Sequence, residues 1–272
     1  MTGAAAGTPR STLTLLSRPV TIAIVVALLG LAALAWALTI QQATGMAGMV
    51  TGLAQVGAGM PNDMSAPLFM AMWLTMMVAM MFPTIAPMVL AHRAVVRRRG
   101  EGGVPTLTFV GGYLLVWTAI GLLPLAGFLG FRNLTAGVVD SLSLRLAAGA
   151  VLVVAGLYQF TPWKRVCLHH CRSPLGFIMT HDFGTGARRA VRAGFAHGAF
   201  CLGCCWALMA VLVVVGFMNL VWMAVIALVF FLEKNWRRGE ALLSVVGPAL
   251  VVLGVASVLQ PALLMVLAGG GM

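Results

Sequence analysis

Acidic side chains are nearly missing from this chain. Six Asp and Glu stand against 17 Lys and Arg in 272 residues, which leaves few carboxylates for proton-coupled or acid–base work. Charge of either sign occupies only 8% of positions, while 61% are hydrophobic, and so apolar a chain does not fold as a soluble globule. Three enzyme signatures are absent: His-Glu-x-x-His, Gly-x-x-x-x-Gly-Lys-Ser/Thr and Gly-x-Ser-x-Gly. These absences weigh against an enzyme without deciding the question. No internal repeat is visible. Five cysteines are an odd number, so they cannot all pair within one chain.

What is present is apolar length. Several runs are long enough to cross a bilayer, which takes about 20 helical residues. The expected fold class is all-α, a polytopic transmembrane helix bundle of about seven spans. These fall near residues 20–40, 67–91, 106–129, 142–160, 194–215, 218–233 and 241–259. The first contains Ala33-Leu34-Ala35, which resembles a cleavage site, but its apolar core exceeds a signal region and favours a retained helix. Gly216-Phe217-Met218-Asn219 divides a run too long for one helix. The expected division is a tail at 1–19, a single transmembrane domain at 20–267 with a cytoplasmic Cys/His loop at 161–193, and a flexible tail at 268–272.

The net charge of +11 suggests nucleic acid at first sight. In a membrane chain it reads as positive-inside charge, and no nucleic-acid partner is expected. With seven spans, one side collects Arg10, Arg18, Arg93, Arg97–Arg99, Lys164, Arg165, Arg172, Arg188, Arg189, Arg192, Lys234, Arg237 and Arg238; the other has Arg132 and Arg145. This places the N-terminus in the cytoplasm and the C-terminus outside. Arginine's excess over lysine, with abundant Ala, Val and Gly, points to a GC-rich bacterial genome and a multi-pass protein of the cytoplasmic (inner) membrane.

Three groups could carry chemistry. The first is Gly194–Met209, with His197, Cys201, Cys204 and Cys205 on about a third of one helix's circumference, Gly194 and Gly198 on the same side and Met209 at its edge. A helix N-terminus and a basic loop before it would favour thiolate at the first cysteine. The second is a pair of methionine stripes, one of Met72, Met76 and Met80, the other of Met70, Met77, Met81 and Met88, with Pro83 and Pro87 able to kink the helix. Thioethers bind Cu(I) without deprotonation. The third is the 161–193 loop, where Cys167 and Cys171 share a face with His170 beside them if the segment is helical, and where His181 is close in sequence. His92 reads as an ordinary membrane-edge residue. Glu233, ionisable and next to the membrane, is a further candidate. Outside, Met46, Met49, Met60 and Met64 form a sparse methionine loop. Each group has a plainer reading too, as small or flexible packing residues.

Three motifs carry a family resemblance. They are Met76-Met77-Val78-Ala79-Met80-Met81-Phe82-Pro83; Tyr158-Gln159-x-Thr161-Pro162-x-Lys164-x-x-Cys167-x-x-x-Cys171-Arg172; and Gly198-x-x-Cys201-Leu202-Gly203-Cys204-Cys205-Trp206-x-Leu208-Met209 with Glu233-Lys234 downstream. The chain resembles the bacterial domain-of-unknown-function family labelled predicted metal-binding integral membrane protein. The resemblance covers the second to sixth spans and implies metal binding without naming a reaction.

The expected function is binding of a soft metal, Cu(I) first, zinc second and haem not favoured, for transport or for delivery to a cuproprotein. The expected ligands are Cys201, Cys204, Cys205, His197, Met209, Met76, Met77, Met80, Met81, Cys167, His170, Cys171 and Glu233. The partners expected are the lipid bilayer, the metal ion and a metallochaperone or cuproprotein. Two alternatives stay open: a membrane thiol–disulfide relay, and a structural or assembly subunit in which the cysteines only pack.

Overall fold

The computed structural model describes residues 18–45, 65–134, 141–180, 184–217 and 219–267. The outer methionines at 46, 49, 60 and 64, His181 and the two tails lie outside them. Among the described residues all regular structure is helical. The helices are α1 (Arg18–Gly45), α2 (Ala66–Arg98), α3 (Val104–Leu134), α4 (Ser141–Tyr158), α5 (Pro162–Arg172), α6 (Pro174–Thr180), α7 (Ala187–Val215), α8 (Leu220–Asn235), α9 (Leu243–Leu259) and α10 (Pro261–Leu267). The chain is an all-α helical bundle of the polytopic membrane type, with large apolar side chains such as Leu107, Leu123 and Val221 turned outward.

Each of the seven expected spans has its helix, but the count by length is five, or six if one bent pair is taken together. α4 reaches spanning length only with α5, and the two are bent by 64°. α8 has 16 residues, about 24 Å of rise at 1.5 Å per residue, short of a hydrocarbon core of about 30 Å. Its last turn carries buried Glu233 and Lys234, so that turn belongs to a polar interior.

Two expectations about the 161–193 region are corrected. It is no loop: it holds α5, α6 and the first turns of α7. Thr161 caps α5 by accepting a bond from the Lys164 backbone N–H, and Pro162 occupies its first turn, where a missing N–H costs nothing. Lys164 and Leu168 are buried, so one face of this basic helix lies against the bundle, packed on α7. α7 in turn begins at Ala187 rather than near Gly194. Cys201 therefore sits 14 residues in, about 21 Å from the helix start, beyond the reach of the N-terminal dipole.

Glycines set the closest helix contacts. On α7, a methyl group at Gly194 would overlap the Phe109 carbonyl of α3, and one at Gly112 would overlap the Val191 carbonyl. The two backbones touch, as small-xxx-small pairs permit in lipid. α4 and α9 repeat the device reciprocally: Gly149 faces the Gly254 carbonyl and Gly254 the Gly149 carbonyl, while Gly156 and Gly247 are matched in the same way. On α2, Pro83 has no N–H for the Ala79 carbonyl. The Trp36 indole of α1 donates to that oxygen at 3.1 Å, which pins α1 to α2 at the methionine-rich turn.

Gly194→Ala is expected to destabilise the bundle by about 1–3 kcal/mol through overpacking, read from denaturant unfolding in detergent. Gly111→Ala, where an added methyl meets nothing within 4 Å, should leave the midpoint unchanged or raise it.

Candidate metal centre

α7 turns Cys201, Cys204 and Cys205 to one side, and all three are buried. Their sulfurs lie within 4.8 Å of one another, with Cys204 and Cys205 Sγ 3.4 Å apart. α5 adds a fourth: Cys171 Sγ is 3.7 Å from Cys204 Sγ. Metal–thiolate bonds of about 2.3 Å would place sulfurs around one ion about 3.8–4.0 Å apart, and the 3.4 and 3.7 Å separations at Cys204 lie within a few tenths of an ångström of that. No cysteine here is disulfide-bonded.

The chain contains two lysines, and both end at this cluster. Lys164 Nζ on α5 donates to Glu233 Oε2 at 2.7 Å and to the Cys204 carbonyl at 2.5 Å. Both partners of this ion pair have no side-chain exposure. Lys234 Nζ lies 3.1 Å from Cys201 Sγ, 3.5 Å from Thr84 Oγ1 and 4.0 Å from Met81 Sδ, over the Phe230 ring. Reading these two lysines as membrane-surface charge is thus corrected: they are buried in the bundle. Glu233 pairs with Lys164 and not with its neighbour Lys234.

The two tyrosines of the chain meet the same stretch. The Tyr113 hydroxyl is 3.2 Å from Cys201 Sγ. Tyr158 donates to the Gly203 carbonyl at 2.6 Å at the α4–α5 bend. Tyr113 and Thr84 were not singled out in the sequence, while Tyr158, Lys164 and Lys234 stood in the family motifs without being read as part of the site. For the lysines and tyrosines rarity was the available signal, since each type occurs twice in a chain rich in arginine and aliphatic residues.

The other candidates are distributed around this core. Met76, Met77, Met80 and Met81 are all buried on α2, and Met81 is the one that meets Lys234. Met209 is buried on α7, one turn past Cys205. Cys167 Sγ fills the space over Gly203, where a side chain would overlap it. The His170 ring stacks on Phe200 at 4.2 Å and its Nδ1 meets the Val166 carbonyl. His197 is buried among Phe109, Tyr113 and Phe177, with no hydrogen-bond partner on Nδ1.

Enclosed soft donors within crossing helices make this a polytopic helical membrane protein with a buried thiol cluster able to bind a metal ion. Residues 70–257 match the model of the family described as PpoB2, copper chaperone. The chain belongs to that family. The matched stretch runs from α2 into α9 and contains every helix of the cluster. No curated protein matches the chain, and no solved structure matches it.

Lys164→Met leaves Glu233 buried without its partner, which should cost about 3–5 kcal/mol. The Lys164→Met/Glu233→Leu double variant should recover most of that loss, as read from thermal unfolding in detergent. Equal losses in both would show that the pair is not the source of the effect.

Proposed function

We propose that this protein binds Cu(I) at Cys201, Cys204, Cys205 and Cys171 and delivers it to a cuproprotein. The observation that carries the reading is the gathering of three buried sulfurs, with half-buried Cys171 3.7 Å from one of them, in a chain of a copper chaperone family. Thiolates in a closed site suit Cu(I), which takes few ligands and tolerates two, three or four. Lys234 supports it. A Cu(I) ion held by two thiolates carries one negative charge, and an ammonium 3.1 Å from Cys201 offsets that charge where water cannot. Met81, against the same lysine, supplies a neutral thioether as an auxiliary donor.

Delivery is favoured over storage by the mixture of donors. Ligands of graded softness along α2 and α7 let an ion be held and then passed on, whereas a uniformly tight cage would trap it. By the positive-inside rule, the arginines at the end of α2 and the start of α7 support a cytoplasmic orientation of that face in a bacterial inner membrane. The acceptor would be a cuproprotein or a soluble metallochaperone that offers thiols of its own.

Purified protein loaded with Cu(I) anaerobically should retain about one copper per chain by elemental analysis, the stoichiometry of a single closed thiolate site. The Cys201→Ser/Cys204→Ser/Cys205→Ser variant should retain almost none. Equal copper in both would sink the proposal. A mixed disulfide trapped by one Cys→Ser variant would instead favour a thiol–disulfide relay.

A further inference from the structure

One cleft opens at the end of the bundle where α2 ends and α7 begins. Its rim is tied across the chain. Glu101, in the α2–α3 turn, accepts the Gly186 backbone N–H at 2.8 Å, and Arg99 donates to the Gly184 carbonyl. Its walls include His92, Phe109, Phe177, Ala190 and Ala193. The space open to a water-sized occupant is about 30 Å³, room for one small species rather than an organic molecule.

Two stripes lead inward from it. On α7, Ala190, Ala193, His197, Cys201 and Cys204 fall within about a quarter of the circumference. On α2, His92, Met88, Thr84 and Met81 do the same, and all four are buried. The stripes share a neighbour at each end. Near the cleft, Phe109 stacks on His92 at 4.5 Å and on His197 at 6.0 Å. Inside, Lys234 touches Met81, Thr84 and Cys201. Both histidines keep a buried Nδ1 with no hydrogen-bond partner. Buried polar atoms are ordinarily satisfied, so two orphaned nitrogens on one track, on imidazoles that both stack on a single aromatic ring, suit a ligand that visits.

We infer that this cleft is the port through which Cu(I) exchanges with the thiol cluster, with His92 its outer ligand, His197 its inner one and the Phe109 ring the gate between them. The inference rests on the copper reading above. Each step replaces one dative bond at Cu(I) by another: imidazole nitrogen at His92, imidazole nitrogen at His197, then thiolate sulfur at Cys201. No electron moves, and copper stays Cu(I) throughout. Met88, one turn from His92 and fully within the core, offers a thioether alongside.

The experiment follows Cu(I) transfer from its bicinchoninate complex into the detergent-solubilised protein by stopped flow. His92→Leu should slow uptake about tenfold, equivalent to about 1.4 kcal/mol on the barrier, without changing final occupancy. His92→Met, of nearly the same shape but with a sulfur donor, should restore the parent rate to within about twofold. Uptake by His92→Leu as fast as the parent's overturns the port, as do equally slow Leu and Met variants, which would mark a packing role. A parent that takes up no thiol-bound copper overturns the copper reading itself, and the port with it.

Discussion

An ammonium group without a carboxylate governs the interior of this bundle. Among the described residues no acidic side chain pairs with Lys234: its neighbour Glu233 is taken by Lys164. Burying such a charge in a helical membrane protein is expensive unless something nearby offsets it. What surrounds Lys234 is a thiol, a thioether, a hydroxyl and an aromatic face. Of these only the Cys201 thiol can become an anion. The cluster and the lysine thus justify each other's burial, and a bound Cu(I) thiolate would complete the same balance.

The architecture follows from holding that group. α7 carries the thiols, and glycine contacts with α3 bring Tyr113 against Cys201. α5 bends back from α4 so that Lys164 and Cys171 reach α7 rather than the membrane surface. α8 stops short of a full crossing and presents Glu233 and Lys234 inward. α2 adds its methionines and is braced by Trp36 where Pro83 leaves a carbonyl open. Five helices, α2, α3, α5, α7 and α8, meet at one point, and the family match extends across all of them.

Much of the fold was legible in the residues. Apolar runs marked the helices, and soft donors at helical spacing marked the thiol face. Gly194 and Gly198 read as a close-approach surface, and α3 occupies it. The missing parts are those that depend on long-range pairing. Lys164 and Lys234 looked like arginine's companions at a membrane boundary, because hydropathy cannot tell a surface cation from one folded inward. The α4–α5 bend hid in a segment too polar to read as part of the bundle. His170 sits beside Cys171 in sequence, and its stacking on Phe200 of α7 is a long-range contact that no local spacing shows. The reciprocal Gly149–Gly254 and Gly156–Gly247 contacts join helices roughly 100 residues apart in the chain, beyond any local pattern.

As proposed, sulfur from these cysteines would hold Cu(I) inside the bundle. X-ray absorption at the copper edge of the loaded protein tests it most directly. The expected spectrum is a Cu(I) edge with sulfur neighbours at about 2.3 Å as the dominant shell, collapsing in the Cys201→Ser/Cys204→Ser/Cys205→Ser variant. A first shell of nitrogen or oxygen alone, or a Cu(II) edge that survives reduction, would contradict it.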